Sequence, residues 1–163
     1  TAIEKRNYPR PKAYRNAIAA AAEEAGIPEA AALAVVRAES GFDGAGRAAD
    51  GGTGLFRLTY KRFSEICTDI LHEPVPDAGM LYDPATNLRA GCAYLSFLYA
   101  RYGMWEPVFA AWRAGTEKVD AWILDPACLN KQGKLTSIPD SATAKFTSGA
   151  AAALKMYTKL YYQ

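Results

Sequence analysis

Apolar side chains recur at helical spacing along most of the chain. A first run, residues 14–25, places its apolar positions on one face of a helix that Gly26 terminates. The next run, residues 28–40, is apolar nearly all round and carries Glu39 near its C-terminal end. Because a helix without a polar face is buried on most sides, we expect residues 28–40 to form a buried central helix.

The same spacing predicts further helices over residues 59–70, 84–102, 106–113, 117–124 and 141–161. Gly41–Gly54 holds six glycines in fourteen residues, a turn-rich segment with room for a short β-hairpin at most. Residues 1–13 contain two prolines among basic residues and are expected to form an extended lead-in or linker. The sequence therefore predicts a mainly α domain over residues 14–163, with about seven helices.

Composition narrows the class of protein. The chain has 163 residues, half of them hydrophobic, which suffices for one domain with a real core. No run approaches the roughly 18 apolar residues of a transmembrane helix. The net charge of +2 lacks the basic excess that a nucleic-acid-binding protein usually shows. Since the chain begins at Thr1 without a methionine, we expect a mature form or a piece of a longer protein or cell-envelope assembly.

The three cysteines are Cys67, Cys92 and Cys128, and their spacing matches no zinc motif. With His72 as the single histidine, we expect neither a metal site nor a cofactor. An odd number excludes a fully paired disulfide framework. If one bridge forms, we expect it between Cys67 and Cys92, which lie on apolar faces of consecutive helices, with Cys128 free. Three reduced thiols are an equally acceptable alternative.

Glu39 is the strongest candidate for chemistry. A carboxyl at the C-terminal end of a buried helix is desolvated and faces the negative end of the helix dipole, and both effects raise its pKa. Such a group can serve as a general acid near neutral pH. The alternative is a half-exposed glutamate paired with Arg37 or Arg47. Asp50 is a candidate second carboxylate across a cleft, although Asp-Gly is also an ordinary turn signal.

Other chemistries have weaker support. Ser40 lacks a plausible base, because His72 stands alone in a loop. The Gly-Gly-Thr-Gly segment lacks the lysine and the spacing of a phosphate loop. Four aromatic residues are candidates for sugar-stacking platforms, although each such residue is more often part of a core: Tyr60, Tyr82, Trp105 and Trp112.

Several motifs occur in an order that is typical of one family. They are Glu39-Ser40-Gly41-Phe42, Gly54-Leu55-Phe56-Arg57, Asp83-Pro84 followed by Asn87 and Gly91, Ala111-Trp112-Arg113-Ala114-Gly115, and Ile138-Pro139. With these motifs the chain resembles the catalytic domain of soluble lytic transglycosylases, a branch of the lysozyme-like superfamily. The resemblance covers nearly the whole chain and implies an α+β lysozyme-like fold.

The resemblance implies cleavage of the β-1,4 bond between N-acetylmuramic acid and N-acetylglucosamine in peptidoglycan, outside the cytoplasm. Glu39 would be the single general acid and base, and the product would carry a 1,6-anhydro ring. The expected partner is therefore a glycan strand. The matching motif positions are expected to bind substrate: Ser40, Gly54, Leu55, Phe56, Arg57, Trp112, Arg113 and Phe146.

The sequence also departs from the family pattern. Phe56-Arg57 stands where the family has Met-Gln, Trp112-Arg113 where it has Tyr-Asn, and Phe146 where it has Tyr. Arg57 near Glu39 would favour the carboxylate and lower its pKa. The arginines could instead pair with a carboxylate of the glycan, while Trp112 keeps a stacking face. Two alternatives stay open: a muramidase that uses Asp50, and a non-catalytic domain that binds glycan or a partner.

Overall fold

The computed structural model describes residues 1–163 and is built from eight α-helices. Their bounds are Ala2–Asn7 (α1), Lys12–Ala25 (α2), Glu29–Ser40 (α3), Tyr60–Glu65 (α4), Pro84–Tyr102 (α5), Trp105–Ala114 (α6), Thr116–Trp122 (α7) and Ser141–Tyr161 (α8). A π-helical segment, Ile66–Leu71, continues α4, and two short 3₁₀-helices span Ala78–Tyr82 and Pro126–Cys128. Extended pairing is limited to isolated bridges, two of them within residues 47–58. The predicted mainly α architecture is confirmed.

Helix α3 runs through the middle of the core. Every side chain from Ala30 to Val36 is at most 3% exposed. Small alanines let the neighbouring helices approach, and α3 packs against α2, α5 and α8. Gly41, with φ at +57°, ends the helix in the left-handed conformation that glycine adopts without strain. The buried central helix predicted from the sequence is confirmed, and Glu39 lies in its last turn.

The extended conformation expected for residues 1–13 is wrong for part of that segment. Ala2–Asn7 is helical and begins with a capping box formed by Thr1 and Glu4, and the two prolines follow it. Helix α2 then starts at Lys12, directly after Pro11, whose fixed φ suits the start of a helix. The segment between the helices lies against α8: the hydroxyl of Tyr157 donates to the carbonyl of Pro9 at 2.7 Å.

All three cysteines are buried free thiols, so no bridge joins Cys67 to Cys92. Cys128 ends a short 3₁₀-helix in the segment predicted as a loop.

None of the helices combines the length and the apolar character needed to cross a bilayer.

Candidate active site

Glu39 faces a cavity of about 190 Å³. Its side chain is 13% exposed, since the apolar helix α3 places it at the edge of the core and Gly41 turns the chain away immediately afterwards. The cavity is lined by Glu39, Asp50, Arg57, Leu58, Thr59, Arg62, Tyr94, Trp112 and Arg113. The structure thus joins the C-terminal end of α3 to residues from α4, α5, α6 and the connection between α3 and α4 (residues 41–59), which we call the glycine-rich segment.

Two residues of α6 contact the Glu39 carboxylate. The indole Nε1 of Trp112 donates to Oε2 at 3.4 Å, and Nη1 of Arg113 lies 3.7 Å from Oε1. The pairing with Arg37 or Arg47 that the sequence left open is wrong. Arg37 donates from Nε to the carbonyl of Asn7 at 2.9 Å, and Arg47 forms no ion pair with Glu39. Glu39 therefore faces the cavity rather than the outer surface of the helix.

Burial raises the pKa of Glu39, and this is the largest influence on the group. The Trp112 hydrogen bond and the Arg113 charge lower the pKa, Asp50 raises it, and Arg57 lowers it least. The predicted influence of Arg57 therefore has the right sign but is outweighed. The net effect is a raised pKa, which shifts Glu39 towards the protonated form that a general acid needs.

The glycine-rich segment is held against α5 by the buried side chain of Asn87. Its Oδ1 accepts from the amide of Phe56 at 2.9 Å. Its Nδ2 donates to the carbonyls of Thr53 at 2.8 Å and Leu81 at 2.9 Å. Both N–H groups and the oxygen of the amide are hydrogen-bonded, so Asn87 holds in place the backbone that leads into the cavity-lining residues Arg57 and Leu58. The sequence motif contained Asn87 without indicating this role.

Two glycines allow this close approach. Gly54 has φ at +76°, and a Cβ there would lie 2.3 Å from the carbonyl oxygen of Leu81. A Cβ on Gly91 would lie 2.0 Å from the ring of Phe56. Both distances are far below van der Waals contact, so the ring of Phe56 packs directly on the backbone of α5. Phe56 in turn contacts Trp112, with ring centroids 5.2 Å apart.

Several predicted substrate-binding residues do not line the cavity but lie behind the residues that do. Leu55 and Phe56 are at most 1% exposed, so packing replaces the expected substrate contact of their side chains. Ser40 donates to the carbonyl of Leu55 at 2.6 Å and ties α3 to the glycine-rich segment. Phe146 lies under the guanidinium of Arg113 at 5.8 Å from the ring centroid and does not line the cavity. Gly54 is buried and is likewise not part of the lining.

Arg57 lines the cavity while its guanidinium holds the loop. Nη1 donates to the carbonyls of Asp43 at 2.7 Å and Gly54 at 2.6 Å, and Nη2 pairs with Asp43 Oδ2 at 3.4 Å. Its backbone φ of +50° is unusual for a residue with a side chain and is maintained by these contacts. Arg57 is thus mainly a structural residue that holds Asp43 and Gly54 together.

Tyr94 and Arg62 also line the cavity, and no sequence motif indicated them. The Tyr94 ring packs against Trp112 with centroids 5.5 Å apart, and the Arg62 guanidinium lies 4.7 Å above the Tyr94 ring. One signal was available: Asn87, Gly91 and Tyr94 are spaced i, i+4 and i+7, so they lie on one face of α5. The face that carries Asn87 and Gly91 therefore also points Tyr94 towards the site.

Asp50 lines the same cavity as Glu39 and is exposed. Its Oδ1 accepts from the amide of Gly52 at 2.8 Å, as expected for an aspartate in a turn. The structure therefore brings the candidate second carboxylate to the cavity and also gives it an ordinary turn role.

The sequence model of the Transglycosylase SLT domain family matches residues 16–133. The chain is 27% identical over 129 residues to the soluble lytic murein transglycosylase of Escherichia coli K12, covering 77% of this chain and 20% of the relative. The chain thus spans about a fifth of the length of this curated relative.

Solved structures share the fold. An inactive mutant of the lytic transglycosylase Slt from Pseudomonas aeruginosa, with one glutamate changed to glutamine, superposes with a TM-score of 0.82 at 25% identity, over 93% of this chain and 24% of that one. The 70 kDa soluble lytic transglycosylase of Escherichia coli gives a TM-score of 0.88 at 23% identity, over 98% of this chain and 26% of that one. With the family match over most of its length, the chain belongs to the Transglycosylase SLT domain family.

Proposed function

We propose that this domain is a lytic transglycosylase that cleaves the β-1,4 bond between N-acetylmuramic acid and N-acetylglucosamine in peptidoglycan. The observation that carries the proposal is Glu39, a mostly buried carboxyl with a raised pKa at the edge of a cavity. The lytic murein transglycosylases among its relatives support the substrate class. Because that substrate lies outside the cytoplasmic membrane, the domain acts there.

Glu39 performs both proton transfers in this mechanism. The protonated carboxyl donates its proton to the glycosidic oxygen as the bond from C1 to that oxygen breaks. The C6 hydroxyl of the same muramyl residue then attacks C1, and the Glu39 carboxylate accepts its proton. The carboxyl ends in its starting state, and the product carries a 1,6-anhydro ring without consuming water. The raised pKa favours the starting form.

Replacing Glu39 by glutamine keeps the side-chain shape and removes the titrating proton. We expect turnover of purified sacculi to fall by about 10²–10⁴-fold, the usual contribution of general acid–base catalysis. Glu117→Gln is the matched control, because it makes the same change at an exposed carboxylate on α7 that does not line the cavity. Full activity of a folded Glu39→Gln protein would exclude Glu39 as the acid.

Product analysis separates this proposal from its main rival. Asp50 lines the cavity with Glu39, which is the observation that favours a hydrolytic muramidase. Mass spectrometry of the digest yields anhydro-muropeptides for a transglycosylase and reducing-end muropeptides for a hydrolase. A hydrolase that depends on Asp50 would also lose activity in Asp50→Asn. A protein that binds sacculi and releases no product would be a non-catalytic member of the family.

A further inference from the structure

Three arginines line the cavity, and they differ in what they bind. Arg57 is 12% exposed and donates to two backbone carbonyls and to Asp43. Arg62 is 35% exposed, pairs with Glu65 at 2.9 Å and covers the Tyr94 ring. Both guanidinium groups are therefore held by the protein itself.

Arg113 is different, because its guanidinium makes no hydrogen bond to the protein. Its side chain is 49% exposed, and its ion-pair partner is Glu39 at 3.7 Å. That separation is too long for a hydrogen bond. The guanidinium lies over the ring of Phe146, which supports its face and leaves the N–H groups along its edges free. Arg113 is thus a cation at the mouth of the cavity with unused donors.

We propose that Arg113 is a specificity residue that exchanges the Glu39 carboxylate for a carboxylate of the substrate. This inference rests on the proposed function of the same site. A planar guanidinium binds a carboxylate through two parallel hydrogen bonds, a geometry that the long contact with Glu39 does not provide. The exposed position of Arg113 lets an incoming anionic group compete for it.

The exchange couples substrate recognition to the protonation of Glu39. While Arg113 faces Glu39, its charge favours the carboxylate. When a substrate carboxylate takes Arg113, that favourable charge is neutralised and Glu39 becomes easier to protonate. The other groups that line the cavity remain in place: Asp50, Arg57, Arg62, Tyr94 and Trp112. An anionic substrate thus promotes the acid form that its own cleavage needs.

Peptidoglycan offers carboxylates from two sources. In strands stripped of peptide the lactyl group of N-acetylmuramic acid is a free carboxylate, whereas in intact strands the carboxylates belong to the stem peptide. The test compares stripped strands, intact strands, and both after amidation of their carboxyl groups. The proteins are the parent, Arg113→Gln, Arg113→Lys and the control Arg6→Gln on α1. Both kcat/KM and Kd are measured for each protein with each of the strand preparations.

We expect the parent and Arg6→Gln to show a higher kcat/KM or a lower Kd, by about tenfold or more, on strands with free carboxylates than on amidated strands. This difference should appear for at least one carboxylate source. Arg113→Gln abolishes that preference, and Arg113→Lys retains part of it because lysine keeps the charge without the planar fork. The source that shows the preference identifies the carboxylate. Equal kcat/KM and equal Kd on free and amidated strands from both sources would overturn the proposal, as would an unchanged preference in Arg113→Gln.

A pH profile distinguishes this role from a structural one. Removing the Arg113 charge raises the pKa of Glu39, so the pH at which kcat/KM declines moves upwards in Arg113→Gln. A residue needed only for packing would not move that midpoint. If the parent releases no product at all, the proposed function fails, whereas the Kd comparison still tests the carboxylate preference.

Discussion

The proposed catalytic role of Glu39 is accompanied by a loss of stability. Its carboxyl is desolvated by the same apolar helix that forms the centre of the core. The contacts that favour the charged form are weak, since the Trp112 donor lies at 3.4 Å and Arg113 at 3.7 Å. Ionisation of Glu39 therefore works against folding. A buried group with a raised pKa at a cavity is typical of a functional site.

This loss is measurable as a dependence of stability on pH. Because the folded protein binds the Glu39 proton more tightly than the unfolded chain, the free energy of unfolding decreases as the pH rises through the pKa of the folded state. Glu39→Gln removes this decrease. We expect the variant to be more stable than the parent at neutral pH, and the difference to shrink as the pH falls through the pKa of the folded state, reaching its minimum below the ordinary glutamate pKa of about 4.3.

Urea unfolding monitored by circular dichroism across that pH range checks the expectation. Glu117→Gln is the control, because Glu117 is an exposed carboxylate on α7 and does not line the cavity. It should leave the pH dependence of the parent unchanged. A Glu39→Gln protein that is less stable than the parent at neutral pH would show that the carboxylate stabilises the fold, contrary to its raised pKa.

At the scale of elements, α5 organises the site although it contributes only Tyr94 to the cavity lining. One face of this helix presents Asn87 to the glycine-rich segment and Gly91 to the ring of Phe56. The ring then supports Trp112, which contacts Glu39. A change on α5 should therefore be transmitted through packed side chains to the carboxyl.

Gly91→Ala tests this chain of contacts. A Cβ at this position would lie 2.0 Å from the fully buried ring of Phe56, so the ring or the backbone must shift. Overpacking of this kind destabilises a core by about 1–3 kcal/mol. We expect that loss in thermal or urea unfolding, together with reduced turnover as Trp112 shifts.

The second-site variant Phe56→Leu provides the control. A smaller side chain leaves a cavity when it is introduced alone, and that cavity should accommodate the new methyl group in Gly91→Ala. The double variant is therefore expected to be more stable than the sum of the single changes predicts. Strict additivity would show that the two residues do not compete for the same space.

Elements whose signal is local could be predicted from the sequence. Helix α8 agrees with its predicted bounds, because it is long, amphipathic and capped by Asp140. The π-helical turns after Glu65 could not be predicted, since their apolar spacing continues that of an α-helix. In the site, Glu39 was identified from its helix, whereas its contacts with Trp112 and Arg113 depend on how α6 packs, which no local pattern encodes.

At the scale of the whole molecule, the ends of the chain meet. Tyr157 and Tyr161 of α8 donate to the carbonyls of Pro9 and Tyr8 at 2.7 Å and 2.9 Å. Helix α8 also packs along α3 and α6, the helices that carry Glu39 and its two partners. The N-terminal residues, α8 and the site are therefore parts of one packed body.

The core of this body contains all three thiols. Burial raises the pKa of Cys67 and Cys128, and it raises the pKa of Cys92 to about 12. Because the thiolate is the reactive form, we expect aromatic disulfide reagents to label the folded protein slowly at pH 8. Cys128 should react first, since it lies in a three-residue 3₁₀-helix, and Cys92 last, since it lies within α5.

In denaturant, three thiols per chain should react without prior reduction, because none is bridged. The melting temperature should be the same with and without reductant. Intact-mass analysis after alkylation under denaturing conditions provides the count, and peptide mapping of partly labelled folded protein provides the order. A single reactive thiol and a melting temperature that reductant lowers would instead show that a bridge stabilises the fold.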